Sequence, residues 1–551
     1  MALNVSSNFT IVADAESETG WGNIGSGGGV ALEPDYYVQG SNCISRAVSG
    51  NNSRKGAAYT GGPYNFNTTY AGQLVYIWVR CSTPGLLNSI VQGGQEILIG
   101  SSSNNYNSYH VYGSDYNKPT EGWECFVIDP VNSVPTSTNG SGLDPSNVNY
   151  FGAVITTTTQ AKGYNIGIDQ IAIGGTLTVT GTTDTVDGFA EIAAVAFDDA
   201  RLNRWGIITE KAGTIFVKGK IQIGNGATAT TFNSQGESVV FLTDRCLSPS
   251  SSSQPFDFNK FIDDVILLSP NHFGYNASAT NKFGITFAGT NTTVNFGVQS
   301  GNGGRSGSSF TVAAFDDPSG ENIVSATVEA KDSPVVNLYA STFNNFRSNL
   351  NLDAGTGNFF GNTFSVNGEL IPGDHVVKNC NFIEAPRAAF HFAQDTVIES
   401  CNFISNNVAI HTDATGTISF NDLQFSGNTT DVNADNPVTI NLVGSNAGTS
   451  TGGPIDFVNS VQLKLTGLVD GSEVRVFRGG TQTEIAGDED VQGGEFITGV
   501  DAAQNPTVDI AVIALNYQNI FLKGIEMVGN REIPIQQIFD RQYENDPLLF
   551  P

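Results

Sequence analysis

The chain has 551 residues, with 25 Lys and Arg against 53 Asp and Glu, for a formal net charge of −28. That balance leaves no basic stripe for a phosphate backbone, so no nucleic-acid partner is expected, and it repels an anionic membrane surface. Gly at 63, abundant Asn, Ser and Thr, and only two Met point away from large helices and toward an all-β chain of about two to four domains.

Met1 to Ser6 shows no basic region followed by an apolar run, and no apolar stretch approaches about 18 residues. Neither a secretory signal nor membrane insertion is therefore expected. The six cysteines, at 43, 81, 125, 246, 380 and 401, show no CxxC spacing for zinc. They read as buried thiols of a chain that folds in a reducing cytoplasm.

Residues 1–175 predict a β-sandwich. Alternation is clear in Leu74–Val79, in Gly122–Ile128 and in Ile166–Ile173. Trp78 and Trp123 lie within alternating runs and read as core. Tyr106, Tyr109, Tyr112 and Tyr116 lie close to Asn104 and Asn105. The plain reading of that stretch is a long polar loop, and its alternative is a wet glycan-recognition surface. The opening Ala13–Trp21 and the closing Ile168-Asp169-Gln170-Ile171 resemble the first and last strands of carbohydrate-binding jelly rolls. That resemblance implies a structural calcium held by Glu16 and Asp169, with Asp14 as a further candidate. No other cofactor is expected.

Residues 176–445 predict a right-handed parallel β-helix. Its early part is irregular, with strands at Thr176–Thr180 and Thr214–Lys218, an Ala-Phe-Asp-Asp quartet at 196–199 and again at 314–317, and a Ser-rich linker at Ser248–Ser253. From Val336 one short pattern recurs, closing on Phe343, Phe364, Phe382, Phe403 and Phe425, in steps of 21, 18, 21 and 22 residues. A period near twenty with short strands and Asn or Gly corners is a solenoid signature, and stacked coils would place each Phe above the next. Cys380 and Cys401 take one position in successive coils. Gly444–Gly453 reads as a linker.

Residues 455–551 predict a small β-sandwich with an extended tail. Its strands are Val461–Leu465, Glu473–Phe477, Val508–Ile513 and Asn519–Lys523, and Gly487–Asp490 reads as an acidic hairpin tip. Leu465–Val476, Thr483–Gly487, Ile533–Gln537 and Asp540–Tyr543 resemble a C-terminal module of tailed-bacteriophage virion proteins. The β-helix resembles those of phage spikes. The resemblance implies a structural virion protein that decorates the capsid or forms a head or tail appendage such as a fibre or tailspike. It implies other virion proteins as partners, a homo-oligomer such as a trimer, contact with host-surface glycans, and a virion location after folding in the host cytoplasm.

Such spikes also include polysaccharide depolymerases, which need two carboxylates about 5–9 Å apart. Asp198-Asp199, Asp263-Asp264 and Asp316-Asp317 are adjacent pairs whose members face opposite sides of a strand. The cluster worth testing is Asp395 and Asp413 with His391 and His411, whose plain reading is an exposed polar ladder. The expectation is thus a non-enzymatic protein. The alternatives are a depolymerase or a glycan-binding adhesin.

Overall fold

The computed structural model describes residues 4–48, 50, 52–114, 123–158, 164–181, 185–198, 207–211, 213–242, 274–275, 284–299, 305–313, 326–346, 349–502, 504–528 and 530–540. Tyr116, Asp199, Cys246, Ser248–Ser253, Asp263, Asp264, Asp316, Asp317 and the segment 541–551 lie outside them. The chain forms two compact units, Met1–His375 and Val376–Pro551. The fold is all-β, and among the described residues no helix is long and apolar enough to cross a membrane.

The first unit opens with a jelly-roll sandwich. One antiparallel sheet runs Trp123–Ile128, Leu74–Cys81, Tyr164–Gly174, Cys43–Val48 and Ala31–Glu33, with Thr10–Ala13 added beside Tyr164–Gly174. The other runs Ser137–Asn139, Asn105–Tyr112, Gln95–Ser102, Val148–Thr156, Arg54–Tyr64 and Trp21–Ile24. Period-two alternation aims Ile77, Val79 and Phe126 from one sheet at Ile97, Val111 and Phe151 from the other. Each such side chain, once buried, contributes about 1.5–3 kcal/mol.

Tyr76 and Trp78 point the opposite way, yet both are fully buried. The Tyr76 hydroxyl donates to the Lys218 carbonyl (3.1 Å), and Lys218 Nζ donates to the Cys125 carbonyl (2.6 Å). The first coils therefore cover the part of the first sheet's outer face around Tyr76 and Trp78. Trp78 is buried as its alternation predicts, though between sandwich and coils instead of between the two sheets. Trp123, on the same outer face, is only half-buried.

Parallel pairing begins at Thr176–Thr180, which is followed on the same face by Lys220–Ile223, Gly284–Ala288, Thr327–Lys331, Leu350–Asn351 and Leu370–Ile371. Two further parallel faces run alongside. One passes through Thr230–Ser234, Thr292–Phe296, Val335–Tyr339 and Thr356–Phe360. The other passes through Thr214–Val217, Ser238–Leu242, Ser309–Ala313, Thr342–Asn344 and Thr363–Ser365. Three parallel faces per coil make a β-helix.

The Ala-rich stretch Phe189–Asp198 forms a helix that the repeat pattern does not anticipate. Alanine propensity favours it. The Glu237 carboxylate accepts the free N–H groups of Phe189 and Ala190, both at 2.9 Å, at its positive end. Phe189 packs on Phe232, Phe296 and Phe310, with centroids 5.0, 6.1 and 5.9 Å away.

Phe343 stacks on Phe364 at 5.5 Å and 14°, and on Phe310 at 5.1 Å on the other side. His375 lies flat on Phe359 at 4.3 Å and is 1% exposed. Burial pushes its pKa down from 6.5 to about 4, although the Pro372 carbonyl and Asp374 favour the charged form. The folded imidazole is thus neutral, and unfolding takes up a proton below pH 6.5. Stability is full above that value and falls as pH drops toward about 4, by on the order of 3 kcal/mol. His375→Phe should flatten that part of the pH profile of the melting temperature, and an unchanged profile would contradict this origin.

In the second unit the three faces run through Ala388–Phe392, Val408–Thr412, Thr430–Ala434 and Ser450–Gly452, through Val397–Glu399, Gly416–Asn421, Val438–Val443 and Ile455–Thr466, and through Asn381–Ile383, Asn402–Ile404 and Gln424–Ser426. Phe382, Phe403 and Phe425 stack at 4.8 and 5.1 Å within 10° of parallel. Cys380 and Cys401 are buried in one slot, with the Cys380 N–H donating to Cys401 Sγ (3.3 Å). The corner residues Asn379, Ser400, Asp422 and Gly444 are all left-handed, with φ of 55°, 53°, 53° and 67°. A short polar residue or Gly suits that conformation best.

Residues 444–453 form a last coil, correcting the linker reading. Ser445 Oγ accepts the Leu423 N–H, Asn446 Oδ1 accepts the Phe425 N–H, and Ser450–Gly452 pairs with Thr430–Ala434. Small polar residues were needed there for backbone bonds, not for flexibility. Ile455–Thr466 then serves two structures. Its first half extends the coil face, and its second half pairs with Glu495–Val500 and Arg531–Pro534. Ser472–Arg478, Glu484–Val491, Thr507–Ile513 and Ile520–Glu526 complete the terminal sandwich over Leu465, Val474, Val476, Ile510 and Val512. Gly487–Asp490 lies within its edge strand, not at a hairpin tip.

Candidate functional site

The coils pack against part of the first sheet of the N-terminal sandwich, and the second sheet carries its own set of residues on its outer face. Strand register places side chains there in rows. One row is Gly22, Ala58, Gly152, Leu98 and Ser108; the next is Thr60, Tyr150, Gly100 and Tyr106; on the other side lie Ile24, Gly56, Val154, Glu96 and His110. Ala58, Leu98 and Val154 are almost fully buried although they face away from the core. Tyr106 and Tyr150 shield them, with ring centroids 5.7 Å apart and planes at 31°.

A polar wall stands beside this floor. Arg54 Nε and Nη2 donate to the two oxygens of Glu96 at 2.9 and 2.8 Å, a bidentate geometry. Ser108 Oγ donates to Glu96 Oε2 (2.6 Å), and His110 Nε2 lies 3.8 Å from it. Burial opposes the Arg54 charge, but Glu96 and Tyr106 more than restore it and hold the guanidinium above its usual pKa. Burial, with Tyr106 adding to it, pushes the Tyr150 phenol up to about 12, against the pull of Arg54. Tyr150 is 6% exposed and Tyr106 half-buried, so Tyr106 is the ring this cluster leaves accessible; beside the fixed donors and acceptors of the bridge it can meet the apolar face and hydroxyl rim of a pyranose.

Of the tyrosines singled out in the sequence, Tyr106 belongs to this face. Tyr109 and Tyr112 do not. Both are fully buried and belong to the inter-sheet core, because alternation along Asn105–Tyr112 turns Tyr109 inward and Tyr112 donates its hydroxyl to Glu124 Oε1 (3.3 Å). The stretch is a strand, not a loop. Arg54, Glu96, His110 and Tyr150 were missed. A signal existed: Val148–Thr156 is apolar at nearly every position, so its outward side chains are apolar as well as its inward ones.

The proposed calcium ligands converge only in part. Asp169 is fully buried, and its Oδ2 accepts the Val38 N–H and the Gln39 N–H (3.1 Å), while its Oδ1 has no partner. Burial drives its pKa up to about 7 against those two N–H groups, and Glu16 and Asp14 push the same way. Glu16 is occupied by the Ser41 and Asn42 N–H groups and by Asn42 Nδ2, at 2.7, 3.2 and 3.0 Å. Asp14 Oδ1 accepts the Glu16 N–H (3.2 Å). Among the described residues no group of three or more His, Cys, Asp or Glu side chains is arranged to hold a metal. The fit to a cation is therefore at one atom, Asp169 Oδ1.

On the coils, His391 and His411 stack outward at 5.2 Å and 24°. His391 Nε2 lies 3.4 Å from Asp413 Oδ1, and His411 Nε2 lies 3.2 Å from Asp435 Oδ2. Asp413 thus pairs across successive coils as its spacing suggests, and Asp435, unremarked in the sequence, repeats that pairing one coil on. Asp395 is exposed.

No known sequence family and no curated protein matches the chain. Solved structures similar to it include the family 11 carbohydrate-binding module of the cellulosomal cellulase Lic26A-Cel5E of Clostridium thermocellum, at 12% identity and a TM-score of 0.22, covering 31% of this chain and 96% of that one. An exo-β-agarase matches at 10% identity and a TM-score of 0.21, over 30% of this chain and 24% of that one. The Agl-KA catalytic domain matches at 12% identity and a TM-score of 0.21, over 82% of this chain and 89% of that one. These TM-scores are too low to assign function, which must come from the residues.

Proposed function

We propose that this chain is a non-catalytic, glycan-binding structural protein of a tailed-bacteriophage particle. In this reading the coils form a stiff scaffold and the N-terminal sandwich holds sugar on its open sheet. The observation that supports glycan binding is the Tyr106–Tyr150 pair over Leu98 and Ala58, beside the Arg54–Glu96 bridge. The particle assignment rests on the sequence resemblance of the last hundred or so residues. A homo-oligomer on the particle belongs to the same proposal.

The test is a glycan array followed by calorimetry on the best neutral ligand. Tyr106→Ala should weaken binding by about tenfold or more, the loss of one stacking ring at roughly 1.4 kcal/mol per decade. Wild-type affinity in that variant would remove the site. Immunogold labelling of purified particles tests the location, and unlabelled particles would refute it.

A second reading is favoured by one observation, the His391–Asp413 and His411–Asp435 pairs on the coils. It is a polysaccharide depolymerase. Reducing ends released from host polysaccharide by the native chain, and not by Asp413→Ala or Asp435→Ala, would establish it over the non-catalytic reading.

A further inference from the structure

The other sheet of the N-terminal sandwich is covered by the first coils only in part. At its far end Trp123, Arg80, Gly167 and Ser45 form one row across four strands on the outer face. The Trp123 ring lies over Gly167: a Cβ added there would meet Trp123 Cη2 at 3.2 Å. Gly167 therefore leaves room for an indole lying against the sheet. Arg80 sits beside it with its guanidinium carbon 3.7 Å from the centroid of the Tyr36 ring, a cation–π contact.

Tyr36 and Tyr37 are 48% and 45% exposed, among the most exposed aromatic rings of the described chain. Their loop is nonetheless held. Asp169 accepts the Val38 and Gln39 N–H groups, Gln39 Nε2 donates to the Asp14 carbonyl (3.3 Å), and Arg80 grips Tyr36. Rings that stay exposed on a pinned loop are pre-organised for a partner.

Charge narrows the partner. The other two sandwich arginines whose contacts are described are spent: Arg46 donates to the carbonyls of Ile24, Gly25, Gly27 and Gly56, and Arg54 is bridged to Glu96. Among the described residues Arg80 faces no carboxylate at ion-pair distance, and its side chain rests on the Tyr36 ring. A guanidinium stacked on one face keeps its in-plane N–H groups for a planar anion. The chain's overall negative charge acts beyond contact and is screened within about 8 Å at physiological salt, so at the surface the guanidinium dominates.

We propose that Tyr36, Tyr37, Arg80 and Trp123 form a second ligand site, which takes a carboxylate-bearing pyranose of an acidic glycan. The sugar ring stacks on the exposed aromatic faces, and its carboxylate accepts from Arg80. This site shares a ligand class with the proposed function but none of its residues. It makes the sandwich bivalent, with one sheet for a neutral stretch and the other for an acidic one.

Calorimetry with the full chain tests it, using hexamers of galacturonic and of mannuronic acid against the neutral hexamer of β-1,4-linked glucose, in EDTA. An acidic hexamer should bind, and Arg80→Gln and Tyr36→Ala should each weaken it about tenfold or more. Arg80→Lys, which keeps the charge and loses the planar fork, should fall between. Tyr106→Ala should leave acidic binding unchanged. That separates this site from the open sheet, whose failure would show as loss of neutral binding alone. Unaltered melting temperatures in the variants identify the losses as local. The proposal is overturned if neither acidic hexamer binds, or if Arg80→Gln binds the acidic hexamer as the native chain does.

Discussion

Phe403→Ala should destabilise the second unit by about 3–5 kcal/mol, read as a lower urea midpoint at constant slope. The ring is fully buried between Phe382 and Phe425, at 4.8 and 5.1 Å, and also meets Phe390 edge-on at 6.3 Å. Truncation therefore removes the transfer contribution and leaves a cavity that hydrogen-bonded coils cannot close, since their spacing is set by the backbone ladder. Both stacking contacts vanish too, each worth about 0.5–1.5 kcal/mol. Val397→Ala is the control: the side chain is 51% exposed on a neighbouring strand, and its loss should stay within about 0.5 kcal/mol. If the two variants melted alike, the aromatic ladder would not be what holds the coils.

The second large effect concerns Asp169. Its folded pKa of about 7 stands above its ordinary 3.8. The folded state therefore holds the proton more tightly. The resulting stability is fully present below about pH 4 and is lost as pH rises through about 7, amounting to about 4 kcal/mol. Asp169→Asn, which keeps the shape without the charge, should flatten this loss. If Asp169→Asn kept the native pH profile, Asp169 would not be its origin. The His375 effect runs the opposite way, losing stability toward acid, so the two variants dissect the profile.

The repeat was legible because coils with a common backbone must repeat their chemistry. Phe343, Phe364, Phe382, Phe403 and Phe425 each occupy an inward strand position, and the left-handed corners at Asn379, Ser400, Asp422 and Gly444 recur with them. Gly444–Gly453 was misread for the opposite reason. Small polar residues serve equally in a flexible linker and in a hydrogen-bonded last coil, and only the Ser445 and Asn446 contacts tell the two apart. Phe310 escaped the pattern because its coil lies outside the even spacing, although it stacks on Phe343.

By itself the sequence determined the all-β class, the inward aromatic ladder and the absence of a basic stripe, since each depends on local alternation, spacing or summed charge. The tertiary structure alone decided which sandwich face the first coils pack against. Alternation along a strand separates two faces but does not say which one another element covers. Tyr106 and Tyr109 differ by three positions, an odd number, so they fall on opposite sides, Tyr106 on the outer face and Tyr109 between the two sheets. Arg54, Glu96 and Tyr150 come from three strands far apart in the chain, and no local pattern could have joined them.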